Sequence, residues 1–313
     1  MQYKVWLQEW LEYYVKPTVK QKTYIRYSEI VADHVLATLG DLELGEITPH
    51  ILQHFIIELL KSGNIKTGEG LSANSVNGII TVVQISLKCA CGVGVITDNV
   101  AEKIKRPKIR EKQVLCFSAM EQRKIEQAVL YKNKPKMLGI VLCLYTGLKI
   151  GELLALTWSD LDFEKGILSV TKTCYDGKDA FGRFARVIDM PKTETSKRLI
   201  PIPKQILAML HDLKRENRCE YVIASGDTPV SVRAYQRSFE ALLRRLNIPH
   251  KGFHALRHTF ATRAIERGMD VKTLSEILGH KNSTVTLNRY VHSLIEHKKD
   301  MMNQLGELLF VVK

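Results

Sequence analysis

A histidine and an arginine three residues apart on a helix can close on one anion, and His254-Ala255-Leu256-Arg257-His258 offers that spacing. A guanidinium presents a planar fork to phosphate oxygens, and an imidazole can donate or carry a proton near neutral pH. The pair therefore suits a pentacoordinate phosphoryl transition state. By itself the tetrapeptide also fits a structural ion pair or a helix cap, the more common origin of such a spacing. His254 and His258, four apart, further match two zinc ligands on a helix. Zinc is the weaker reading, because the glutamate of an HExxH pattern is missing, no cysteine pair is near, and Arg257 would place a positive charge beside the cation. No metal and no cofactor are expected.

The ordered set of segments narrows the choice. Thr146-Gly147-Leu148-Lys149-Ile150-Gly151-Glu152-Leu153-Leu154 comes first, then Pro191-Lys192-Thr193, His254-Ala255-Leu256-Arg257-His258-Thr259, Leu278-Gly279-His280 and finally Asn288-Arg289-Tyr290-Val291-His292. In order and spacing these resemble the tyrosine recombinase (phage integrase) family, most closely the integrases of conjugative transposons and phages. The resemblance implies that Tyr290 is the nucleophile, attacking a scissile phosphate to leave a 3′-phosphotyrosyl link and a free 5′-hydroxyl. Bond energy kept in that link would let the strand be rejoined without ATP. It further implies Lys192 as general acid for the departing 5′-oxygen, His254 and His280 as aids to proton transfer and phosphate binding, Arg257 on the non-bridging oxygens, and Glu152 in support of the cluster. Lys149 stands where the family has its first catalytic arginine. A point-charge ammonium cannot reproduce a bidentate guanidinium, so a rate loss of about 10²- to 10³-fold is expected, while DNA binding survives.

The same resemblance implies partners and architecture: double-stranded DNA core sites, a homotetramer on two duplexes passing through a four-way junction, a C-terminal helix exchanged between protomers, and an accessory directionality factor. The integration or excision of a mobile element is the expected outcome. The separate arm-binding domain of larger integrases is expected to be absent from this sequence. A DNA-binding protein of the same fold with impaired catalysis is the alternative.

These residues need a scaffold, and the periodicity predicts one that is mainly α-helical with a small antiparallel β-sheet. Residues 1–102 read as helices only, resembling the family's helical core-binding (SAM-like) domain. Trp6, Trp10 and Tyr13 recur at helical spacing, Thr18 is placed to cap a segment through Val35, Pro49 opens a helix over 51–60, and Ser72 opens one over 74–91. A polar, proline-containing linker is expected over 103–113, with a mixed α/β catalytic domain over 114–313. There Ser118 and Glu121 form a capping box for a helix to about Leu130, 137–145 and the stretch to Leu156 are helical, and 166–173, 185–190 and 198–201 are expected to pair as one three-stranded sheet. Helices resume near Lys204. At the end, Ile295, Met302, Leu305, Leu308 and Leu309 fall at helical spacing, an apolar face that needs burial.

Composition sets the outer limits. At 313 residues, with 45% hydrophobic and 25% charged, the chain is ordinary globular material long enough for two domains. A net charge of +13 favours a polyanionic partner; residues 1–110 carry 13 basic and 11 acidic groups and residues 111–313 carry 33 and 22, so the excess lies in the second domain. The most apolar runs, 79–83 and 137–145, fall short of the roughly 20 residues of a spanning helix, and the N-terminus lacks a signal-peptide pattern. A cytoplasmic protein without a membrane partner is expected. The six cysteines form no CxxC pair and read as reduced thiols.

Overall fold

The apolar positions of the first hundred residues close into one helical core. In the computed structural model Tyr3, Trp6, Leu7 and Trp10 are buried along α1 (Tyr3–Glu9) and a π-helical turn that continues it through Val15. The described residues are 1–109, 115–131, 135–178, 184–190, 197–217, 219–280, 282, 299, 302–303 and 305–306. They fall into two compact units, Met1–Lys112 and Gln113–Lys313.

In the first unit α2 (Gln21–Ile30) runs through a second π-helical turn (Val31–Val35) into α3 (Leu36–Leu39); α4 (Pro49–Ser62) and α5 (Ala73–Gly92) follow. Pro49 occupies the first turn of α4, Thr48 Oγ1 accepts from the Ile51 amide, and Ser72 caps α5 by accepting from the Ser75 amide at 3.2 Å. Thr18 does something other than cap α2. Its hydroxyl donates to the Tyr14 and Val15 carbonyls, closing the end of the preceding helix, and α2 starts at Gln21 after Lys20. The expected shortness of apolar runs also needs correcting: α5, with 20 residues, is long and apolar enough to cross a bilayer by length and composition. Val76, Ile80, Val83 and Leu87 put it instead at the centre of this core. Residues 105–107 lie back on the same unit, where Gln53 bonds both main-chain groups of Lys105 and Asn77 donates to the Pro107 carbonyl.

The second unit opens with α6 (Ala119–Tyr131), whose Ser118–Glu121 capping box is formed, then α7 (Leu138–Thr146) and α8 (Ile150–Ala155). The sheet differs from the expected one. β1 (Leu161–Asp162), β2 (Ile167–Val170) and β5 (Arg198–Pro201) form a three-stranded antiparallel sheet, with Leu168 opposite Leu161 on one side and Ile200 on the other. β3 (Thr173–Lys178) and β4 (Phe184–Asp189) pair only with each other, six residues against six, so the run over 185–190 belongs to a separate hairpin. Asp176 pins that hairpin to α10 (Val232–Arg245), its carboxylate accepting from Ser231 Oγ and from the Val232 and Arg233 amides at the start of that helix. α9 (Lys204–Glu216) precedes a short antiparallel ribbon of β6 (Ala224–Ser225) and β7 (Thr228–Pro229). α11 (His254–Glu266) and α12 (Val271–Leu278) complete the described fold, and α11 packs along α7. The apolar C-terminal face falls largely outside the described residues; within them, Met302 and Leu305 are exposed.

Candidate active site

Arg257 is the deepest charge in the molecule's described part, 2% exposed in the first turns of α11. An unpaired guanidinium in such a place would cost several kcal/mol, so its partners explain how it is held. Nη1 donates to the Gly147 carbonyl at 2.8 Å, and Nη2 donates to the Leu278 carbonyl at 2.6 Å and to His280 Nε2 at 3.0 Å. Both carbonyls sit at helix C-termini, where the backbone dipole is negative and carbonyls lack intrahelical partners. Since a guanidinium only donates, His280 Nε2 is the acceptor of this bond. Two left-handed glycines make the arrangement possible. Gly147 ends α7 at φ +66°, and a Cβ there would meet Phe260 at 2.6 Å; Gly279 ends α12 at φ +66° and turns the chain into His280.

The start of α11 is itself tied down. Thr259 Oγ1 accepts from the Phe117 amide and donates to the Ala255 carbonyl, both at 2.8 Å, and Arg263 reaches the Phe117 carbonyl. Lys251, in the turn before α11, contacts both Glu121 oxygens at 2.8 and 2.7 Å and lies over the Phe117 ring.

Beside this lies a second charged centre around Glu152, 6% exposed on α8. Arg198 grips it with two parallel bonds, Nη1 to Oε1 at 3.0 Å and Nη2 to Oε2 at 2.8 Å. The Lys149 amide donates to Oε2 at 2.9 Å, and Lys149 Nζ stands 3.5 Å from Oε1. Burial pushes the Glu152 carboxyl upward, but Arg198, Lys149 and the backbone bond outweigh it and hold the group below its ordinary value. Lys149 moves down as well: burial lowers it, Glu152 raises it, and the nearby Arg257 and Arg198 charges lower it further. α8 can approach this closely because Gly151 has no side chain; a Cβ there would sit 2.6 Å from Thr173 Oγ1 on β3.

Thus Lys149, Glu152, Arg257 and His280, drawn from three separate segments of the sequence, meet in one place. His254 is exposed, its ring against that of His258 with centroids 4.5 Å apart. Lys192 and Tyr290 lie outside the described residues. Among the described residues no group of three or more His, Cys, Asp or Glu side chains is arranged to hold a metal. Sequence reasoning missed Arg198, reading it only as the edge of a strand. Alternation in β5 carried a signal, since Arg198 shares a face with buried Ile200 while Leu199 points outward at 63% exposure.

Residues 112–297 match the phage integrase family, and residues 3–60 match the phage integrase N-terminal SAM-like domain. The chain belongs to the phage integrase family. Its relatives are tyrosine recombinases and integrases. A XerC-like tyrosine recombinase of Caldanaerobacter subterraneus subsp. tengcongensis is 29% identical over 327 residues, covering 96% of this chain and 81% of that protein. The ICEBs1 integrase of Bacillus subtilis is 25% identical over 304 residues, covering 93% and 79%. In fold, this integrase-family chain is similar to the Tn1549 transposon integrase bound to a circular intermediate DNA (TM-score 0.79, 23% identity, 97% of this chain and 99% of that one). It is also similar to the lambda integrase tetramer bound to a Holliday junction (TM-score 0.67, 24% identity, 91% and 79%). The family's activity is site-specific DNA recombination.

Proposed function

We propose that this chain cleaves and rejoins DNA at a specific core site through a 3′-phosphotyrosyl intermediate on Tyr290, integrating or excising a mobile element. The observation that supports the reading is the convergence of Lys149, Glu152, Arg257 and His280, a set of cationic and imidazole groups that would stabilise a phosphate's developing charge. Arg257 and Lys149 would bind the non-bridging oxygens. His280 and His254 would assist proton movement, Lys192 would protonate the leaving 5′-oxygen, and Glu152 would orient the cluster. This division of labour needs no metal: the cations replace its charge. Residues 1–102 would act as a core-binding domain that shares the duplex with the catalytic domain, joined by residues 103–113.

The ICEBs1 integrase and the Tn916 transposase among the relatives, with the Tn1549 transposon integrase among the structural neighbours, support the mobile-element reading. Met302 and Leu305, 65% and 59% exposed, support a C-terminal helix that docks on a neighbouring protomer in a tetramer on two duplexes joined by a Holliday junction. A directionality factor and a cytoplasmic site of action complete the proposal. The test is a nicked duplex that traps the cleaved strand. A covalent protein–DNA adduct is expected with the unaltered chain and none with Tyr290→Phe; an adduct surviving in Tyr290→Phe removes the assignment.

Lys149 favours a second reading, a DNA-binding protein with weakened catalysis, because its ammonium already leans on Glu152 at 3.5 Å. Lys149→Arg separates the two. Faster adduct formation, together with an alkaline limb moved to higher pH because arginine stays charged, supports the enzyme. No cleavage after that change supports the binder.

A further inference from the structure

Arg198 lies in none of the segments that suggested the chemistry, yet it connects two of them. Its side chain is 5% exposed. Both Nη atoms donate to Glu152, at 3.0 and 2.8 Å, and Nε donates to the Ile277 carbonyl at 2.5 Å. Ile277 is in the last turn of α12, three residues before His280, and Glu152 is the residue to which the Lys149 amide is bonded. Gly279 makes room for this side chain: a Cβ there would stand 3.0 Å from Arg198 Cδ and 3.2 Å from Nη1. The pairing of Arg198 with Val170 on β2 fixes the backbone from which the guanidinium reaches out.

We propose that Arg198 is a positioning residue for DNA cleavage: by gripping Glu152 and the end of α12 with one rigid fork, it sets Lys149 and His280 in register about the scissile phosphate. This rests on the reading of the site as a phosphodiester-cleaving centre. A planar guanidinium in two parallel bonds has one allowed orientation, so Glu152 is locked in rotation as well as neutralised. A bare positive charge would neutralise Glu152 equally well and lock nothing. Misplacement of a reacting group by about 1 Å costs on the order of 10² in rate, so the two roles are separable by kinetics.

The experiment measures single-turnover adduct formation by the full chain on nicked duplexes carrying a core site selected from a randomised duplex library. Arg198→Lys keeps the charge and loses the fork. At saturating DNA its cleavage rate is expected to fall about 10²-fold while the half-saturating DNA concentration stays within about threefold. Arg198→Met should be slower still and acquire a new acid limb. With the guanidinium gone, Glu152 keeps Lys149 at the start of α8 and Cys143 on α7 beside it, with the Arg257 charge of α11 next to both of those groups, and burial then drives its carboxyl upward. Adding Glu152→Gln to Arg198→Met should abolish that limb, recover thermal stability and leave cleavage slow; this double variant carries the test if Arg198→Met fails to fold. Cleavage by Arg198→Lys within threefold of the unaltered chain, or full cleavage by the double variant, overturns the proposal. Failure of the unaltered chain to form an adduct would instead strike the proposed function itself and the role of Arg198 with it, an outcome distinct from normal cleavage by the Arg198 variants.

Discussion

Among the described residues, the polar side chains that reach the interior of the N-terminal unit are neutral, Ser86 and Asn99, whereas the C-terminal unit buries Glu152 and Arg257 and almost encloses Arg198. The ion pairs of the first unit, such as Lys4 with Asp41 and Lys103 with Asp98, lie in solvent, at 46% and 85% exposure for the former. Exposed pairs contribute little to stability, and buried ones cost desolvation that an apolar packing would avoid. The N-terminal unit therefore has the charge pattern of a scaffold optimised for burial of Trp6, Trp10 and the apolar face of α5. The C-terminal unit carries an electrostatic cost at the one place where a phosphate would be handled, which is where perturbed groups are expected to gather.

The contrast can be broken most sharply at Glu152. Glu152→Ala leaves Arg198 buried without its carboxylate, and a loss of about 3–5 kcal/mol is expected in urea unfolding. Hydrogen exchange should assign that loss to the C-terminal unit and leave α5 protected; a loss spread over both units would contradict the division. Next is Gly147→Ala, which forces an alanine to φ +66° against Phe260. About 2 kcal/mol of destabilisation is expected by calorimetry. Because the displaced carbonyl is Arg257's acceptor, adduct formation should fall with it. Smaller is Tyr3→Phe in the first unit, which removes the buried 2.6 Å bond to Ser86 and should cost about 1 kcal/mol, with cleavage unchanged at saturating DNA. Lys4→Ala should leave the unfolding curve where it was.

Acid should separate the units further. Glu152 is held below its unfolded-state value, so the stability it contributes is present above that value and lost as pH falls through the lower folded-state value. Thermal unfolding from neutral pH downward should show the C-terminal unit weakening in that window. The double replacement of Glu152 by Gln and Arg198 by Met should flatten the dependence; an unchanged slope would place the titrating carboxylate elsewhere.

Apart from Thr18, the helix-opening residues were legible in the sequence, because signal and effect lie within one helical turn. Pro49, Ser72 and the Ser118–Glu121 box open helices as their types dictate. The convergence of Lys149 and Glu152 with Arg257 and His280 was also legible, through the ordered motifs. What was lost depends on pairing at a distance. β3 and β4 have the composition to join the sheet of β2 and β5, and only their six-residue register with each other, with Asp176 bonded to the start of α10, takes them out of it. Arg198 finds its partner 46 positions earlier in the chain, a contact that neither helical nor strand periodicity encodes. Thr18 was misread because a hydroxyl between two helices can serve either, and the direction of its bond is decided by the turn.

Arg257 takes two of its bonds from main-chain carbonyls, those of Gly147 and Leu278. Such acceptors are specified by the path of the backbone and are indifferent to the side chain mounted on it. Leu278 can therefore be randomised among apolar residues of similar volume in a directed-evolution library without deleting an Arg257 contact, while Gly147 and Gly279, which shape the path, tolerate almost nothing. Engineering that retargets this enzyme class can treat the packing shell behind the guanidinium as free design space and the two glycines as its fixed hinge points.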